Sequence, residues 1–237
     1  MKTPLLKTIG LFAVALMLGV GTSGPASADG TIEAGKDYEL IDPPQPTADP
    51  SKIEVMEFFW YGCPHCYHFE PDLNAWLKKK PANVDFIRQP AIFNERWGAH
   101  AKAFFTAELL GVLDKVHKDF YDAIQNQKRS LESEEDLAAF FKEHGVTDEA
   151  FRNAYKSFAV DAKMRQAEAM GPRYGITGTP ALVINGKYRT SGSLARSFTH
   201  MLEVTDELIR KETAALPKAE PAESKPQKPA KGQKKSK

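Results

Sequence analysis

EVMEFFWYGCPHCYHFE, residues 54–70, holds both cysteines of a 237-residue chain and changes character at its middle. Ile53, Val55, Phe58 and Phe59 are β-branched or aromatic, which predicts a buried strand. Gly62 breaks that run, and CPHCYHFEPDLNAWLKKK reads as a helix from Cys63. Pro64 falls in the first turn, where the missing N–H costs nothing. Pro71 lies deeper and predicts a kink. Lys78 to Lys80 suit the negative end of the helix. Two thiols, two residues apart, thus stand at a helix amino end. Thiol–disulfide exchange needs an attacking thiolate and a resolving thiol within its reach. The first cysteine faces the unpaired N–H groups and positive dipole of the helix start, which lower its pKa. The second sits a turn lower and more buried. This reading makes Cys63 the nucleophile and Cys66 the resolving thiol, with His65 placing positive charge beside Cys63 and Pro64 fixing the turn. A fall of about 3 units in the Cys63 pKa stabilises the thiolate by about 4 kcal/mol. Expressed wholly in the dithiol form, that raises the potential by on the order of 90 mV. Two plainer readings fit less well. A structural disulfide across so short a loop removes little unfolded-state entropy. A metal site built on Cys63, Cys66, His65 and His68 lacks the usual second CxxC or HxxxH pair, so no metal is expected.

Outward from this stretch, residues 83–89 (NVDFIRQ) read as a second strand, and only helical signals follow from about Trp97 to Tyr174. Within that block Ser133 and Thr147 are helix caps, with Asp136 at the third helical position after Ser133. Ala181 to Ile184 is a strand, Asn185-Gly186 a hairpin turn, and Lys187 to Thr190 the return strand. A final helix is expected from about Ser193 to Lys211. Strand–helix–strand followed by hairpin–helix builds a small mixed sheet with helices on both faces, here with a helical block inserted between the halves.

The ends of the sequence suggest a compartment. Lys2 and Lys7 precede IGLFAVALMLGV at residues 9–20, an apolar run of about 12 residues against the about 20 that a membrane span needs. Ala26-Ser27-Ala28 then forms a cleavage signal, so a leader removed after Ala28 is expected. Export points to an oxidising compartment. Residues 217–237 carry seven Lys against Glu220 and Glu223 and read as a disordered Lys-, Pro- and Ala-rich tail. The stretch between leader and tail is mildly acidic, without a basic stripe or a nucleic-acid motif.

With EFFWYGCPHCYHFE, the helical insertion and GTPALVINGKY together, the stretch from about Lys36 to Lys211 resembles the DsbA family of periplasmic thiol:disulfide oxidoreductases in the thioredoxin superfamily. The resemblance implies an α/β thioredoxin fold, a mixed central sheet flanked by helices, with an inserted all-helical domain. The expected division is a leader at 1–28, the first half of the thioredoxin-like domain at 29–96, the insertion at 97–174, the second half at 175–216 and the tail at 217–237. By resemblance, Thr179-Pro180 is a cis peptide facing the disulfide, presenting its backbone to an extended substrate. Glu57 would lie beneath the active site as a proton relay for Cys66, with Arg88 as its basic partner on the neighbouring strand. The implied activity is oxidation of unfolded exported proteins by the Cys63–Cys66 disulfide, with no other cofactor. The implied partner is a membrane quinone-linked reoxidase of the DsbB type, acting on a monomer. An isomerase or reductase of the same fold, or a chaperone-like module that uses the groove without redox turnover, are the alternatives. Trp60, Tyr61, Phe93 and Trp97 fit either an apolar rim near the disulfide or plain core. His100, His117, His144 and His200 show no ligand spacing and are read as structural or solvated.

Overall fold

Residues 31–216 are described in a computed structural model of the chain. The leader expected at 1–28 and the tail at 217–237 lie outside the described residues. The strand predicted around Phe58 forms as β2 (Ile53–Phe59), and every residue in it is buried. A strand buried along its whole length belongs in the middle of a sheet covered on both faces. The sheet contains β1 (Glu39–Leu40), β2, β3 (Val84–Pro90), β4 (Ala181–Ile184) and β5 (Tyr188–Ser191) in the order β1-β5-β4-β2-β3. β2 pairs parallel with β3 and antiparallel with β4. Asn185 and Gly186 both take positive φ, 51° and 64°, as a two-residue hairpin between β4 and β5 requires. A side chain at Gly186 would also strike the backbone of Gln45, 2.1 Å from a Cβ there.

The alternation of β2 distributes its side chains between two cores. Ile53 and Val55 pack with Leu182 and Ile184 under α1 (Pro64–Leu77) and the carboxyl-terminal helix. Met56 and Phe58 face the other way, toward Met170, Tyr174 and Ile176. Glu57 shares the side of Ile53 and Val55, which turns a carboxyl group toward α1.

Between β3 and β4 the chain is helical: α2 (Glu95–Leu109), α3 (Leu113–Gln125), α4 (Glu134–Glu143), α5 (Asp148–Tyr155) and α6 (Phe158–Arg173). Asn94, Ser133, Thr147 and Ser157 each accept a hydrogen bond from a backbone N–H in the first turn of the helix they open. Two expectations need correction. α1, with Pro71 inside it, ends at Leu77 and is capped by Lys78, so Lys79 and Lys80 lie beyond the helix they were expected to close. The single last helix is two, α7 (Gly192–Ala195) and α8 (Phe198–Ala215), because Arg196 turns left-handed at φ 64° and Ser197 starts a new helix by accepting from the His200 N–H.

Candidate active site at the start of the first helix

Cys63 is the residue that caps α1, with Pro64 in the first turn. Its Sγ lies 3.3 Å from the carbonyl oxygen of Thr179 and donates to it as a thiol. The Thr179–Pro180 peptide is cis and precedes β4. A segment remote in sequence is therefore set against the CPHC turn. Both cysteines are free thiols here; Cys66 is fully buried and Cys63 nearly so.

Ionisation reverses the hydrogen bonding around Cys63. The thiolate becomes an acceptor, first of the Cys66 S–H, then through hydrogen bonding with Thr179 and from the backbone N–H groups of Cys66 and His65. Burial opposes this, yet the pKa falls from 9.0 to about 5. Burial pushes Cys66 well above the ordinary thiol value, and the neighbouring Cys63 pushes it further. One anion and one neutral donor are the division of labour that the exchange chemistry needs. The ring of His65 is exposed, and what this residue brings to the sulfur is its backbone N–H. It also lines a groove of about 820 Å³ with Ile176, Thr179, Pro180, Arg196 and Phe198.

Gly62 is held open by packing. A Cβ there would lie 2.2 Å from the Trp60 ring. Trp60 stacks on Trp97 with centroids 4.2 Å apart and donates its indole N–H to His100 at 3.0 Å. Tyr61 is core, Trp60 and Trp97 are half-buried, and Phe93 is exposed, so the four expected rim residues divide between the two readings.

Beneath the cysteines lies a buried charge network. Glu57 is 0% exposed and stands opposite Arg88 in the β2–β3 register. Arg88 Nε comes within 3.5 Å of Glu57 Oε2 but makes no hydrogen bond to it. The guanidinium instead donates through Nη2 to both carboxylate oxygens of Glu70, at 3.1 and 3.2 Å. Burial drives the Glu57 pKa up to about 8 despite the Arg88 charge, and the Glu70 charge adds to the rise. Glu57 therefore holds its proton at neutral pH. Burial acts on Glu70 too, but a hydrogen bond from His117 and the Arg88 charge outweigh it and keep that carboxylate ionised.

The sequence alone does not point to Glu70, His117 and Tyr121 as members of this network. Glu70 carries a usable signal, since it lies four residues after Cys66 and so one turn along the same helix face. His117 and Tyr121 carry none, because the groups they pack against come from elements distant in sequence. His117 Nδ1 meets the Tyr61 hydroxyl at 2.7 Å, and its Nε2 faces Glu70 Oε1 at 3.5 Å. Among the described residues, no group of three His, Cys, Asp or Glu is placed to hold a metal ion.

Three comparisons bear on this geometry. A family model described as a DSBA-like thioredoxin domain matches residues 54–200. The thiol:disulfide interchange protein DsbA of Azotobacter vinelandii is 41% identical over 199 residues, covering 84% of this chain and 93% of its own length. Its namesake in Pseudomonas syringae pv. tomato is 43% identical over 190 residues, covering 80% and 89%. The crystal structure of Pseudomonas aeruginosa DsbA superposes with a TM-score of 0.75 at 42% identity, covering 78% of this chain and 96% of that one.

Proposed function

This chain belongs to the DSBA-like thioredoxin family and is a thiol:disulfide oxidoreductase of that fold, and from this premise we propose that it works as a dithiol oxidase on proteins exported to the periplasm. The observation that carries the direction of reaction is the Cys63 sulfur at the start of α1, comfortable as an anion at pH 7 and set 3.3 Å from the Thr179 carbonyl. In the oxidised enzyme a client thiolate attacks Cys63 Sγ of the Cys63–Cys66 disulfide. The S–S bond breaks, its electron pair leaves on Cys66 Sγ, and the Glu57 carboxyl protonates that buried thiolate. A second client thiolate then attacks the client sulfur of the mixed disulfide and expels Cys63 as a stable thiolate. The client leaves with one disulfide, the enzyme as a dithiol, and Glu57 recovers its proton from solvent. A leaving group of low pKa departs readily, so the enzyme gives its disulfide away more easily than it keeps it.

The groove beside Thr179 and Pro180 suits an extended, unfolded client, because pairing with the Thr179 backbone ignores side-chain identity. We take the chain to act as a monomer, with a leader removed after Ala28. The described parts of 29–96 and 175–216 form the catalytic body, with 97–174 as its inserted cover. Reoxidation falls to a membrane quinone-linked partner of the DsbB type, and the Cys63–Cys66 pair is the only redox centre required.

Equilibration of the pair with glutathione buffers tests the reading, alongside oxidation of a reduced client and reactivation of a scrambled one. The expected result is a readily reduced disulfide, rapid client oxidation and slow reactivation of scrambled client. A disulfide as hard to reduce as an ordinary structural one rejects the oxidase. Faster rescue of scrambled than of reduced client points to an isomerase. Client protection that survives Cys63→Ser with Cys66→Ser points to a binding module.

A further inference from the structure

Four buried side-chain atoms among the described residues have no hydrogen-bond partner, and they belong to only three residues: both carboxyl oxygens of Glu57, Nε of Arg88 and the hydroxyl of Tyr121. A buried polar group left unpaired forfeits its hydration with nothing in return, so such groups are rare in a folded protein and call for an explanation. Glu57 and Arg88 face each other across β2 and β3, and Tyr121 packs in one buried cluster with Cys66, Tyr61 and Phe59, the last of them two residues on from Glu57 along β2. Tyr121, 1% exposed, reaches in from α3, its ring 4.8 Å from that of Tyr61 and 5.2 Å from that of His117. Burial first holds the Tyr121 pKa well above the ordinary phenol value, and the Glu70 charge, with Cys66 or Glu57 whenever either ionises, pushes it the same way, so the phenol keeps its proton at any working pH and is a standing donor.

We propose that the Tyr121 hydroxyl is a positioning residue for the resolving half of the exchange, the donor that receives negative charge when it appears on Cys66 or Glu57. In the enzyme dithiol Cys66 is a thiol and Glu57 a neutral acid, and the one carboxylate of the pocket, Glu70, is already held by Arg88, Asn74 and His117, so no unpartnered anion faces the phenol. During exchange the proton moves from Glu57 to the departing Cys66 thiolate, and a carboxylate is left in a pocket whose one cation is already shared with Glu70. Tyr121 gives that anion a hydrogen bond without losing its own proton. The proposal rests on Glu57 acting as the relay.

The test uses the full oxidised protein, a small thiol as reductant, and stopped-flow rates normalised to thiolate concentration across pH. In the wild type the rate falls as pH rises through the Glu57 pKa, because the acid is lost. Glu57→Gln removes that fall if the relay holds; a fall that persists unchanged rejects the relay itself. With the relay intact, Tyr121→Phe moves the midpoint upward by roughly one to two units, the worth of one hydrogen bond to a charged group, and lowers the plateau. A tyrosine fluorinated beside its hydroxyl is a stronger donor of nearly the same shape, and it moves the midpoint the other way. If Glu57→Gln abolishes the fall while both changes at 121 leave the midpoint in place, Tyr121 is packing and the inference is overturned. Loss of stability alone, with the midpoint unmoved, overturns it equally.

Discussion

Cys63 ties the stability of the dithiol enzyme to pH. Its pKa is 9.0 as an ordinary thiol and about 5 in the fold, so the folded dithiol gains stability as pH rises above about 5 and the gain levels off near 9. At pH 7 the two-unit gap above the folded value corresponds to on the order of 3 kcal/mol. The disulfide form has no such group to titrate, while Glu57 is common to both forms and largely cancels in their difference. Urea unfolding of the dithiol and disulfide forms should therefore show the dithiol gaining on the disulfide between pH 4.5 and pH 7. A gap that does not change over that window would mean that Cys63 is an ordinary thiol. The low pKa is legible in the sequence, since two cysteines at a helix start with Pro at the first position suffice to argue it. Which donor dominates is not. The ring of His65 is the visible candidate, yet the Cys66 S–H is the strongest contributor and His65 acts through its backbone. Nor can the sequence tell that Arg88 gives its hydrogen bonds to Glu70 while only approaching Glu57, because strand register sets who stands opposite whom but not where a long guanidinium points.

Helices with a side-chain cap are the most legible elements, and the reason is local. Ser133 accepts from the Asp136 N–H at 3.0 Å, and Thr147 from the Ala150 N–H at 3.2 Å; both bonds are closed within four residues and need no tertiary information. α3 opens on Val112 with no side-chain cap, so nothing in the sequence marks its start, and its bounds disappear inside a long helical block. β1 is two residues long and exists only by pairing with β5, some 150 positions away in sequence, a contact no local pattern announces. The break between α7 and α8 is hidden for the opposite reason: Arg196 at positive φ violates its own preference, held there by the fold around it. The same locality makes the capped helices easy to test. Ser133→Ala should lower stability by about 1 kcal/mol in urea, Ser133→Asp should restore most of it, and exchange kinetics should not move in either. Equal loss in both variants would show that Ser133 matters for something other than the Asp136 N–H.

The insertion and the sheet share one core, and this decides how the protein comes apart. Phe59 at the end of β2, Tyr61 and both cysteines pack in a single buried cluster with side chains from all five inserted helices, including Phe104, Val116, Phe120, Phe141, Phe151 and Ala167. Phe59 and Phe104 meet edge to face at 5.4 Å, and Phe59 also contacts His117 and Tyr121, the residues that close over the charge network. A cover that rested on the sheet through a polar surface could open alone. This one cannot leave without exposing the apolar end of β2 and the buried Cys66. Tryptophans report from both regions: Trp60 and Trp97 stack at the junction, while Trp76 lies under α8 and donates to Asp206 at 2.7 Å. Unfolding should therefore be one transition, with tryptophan fluorescence and far-ultraviolet circular dichroism giving the same midpoint. Phe104→Ala, at a cost of about 3–5 kcal/mol, should lower both midpoints together and, by loosening the packing against Phe59, slow the exchange step that relies on the buried Cys66. If the fluorescence midpoint instead drops below the dichroism midpoint, the insertion opens by itself, and the shared core does not bind the two parts into one cooperative unit.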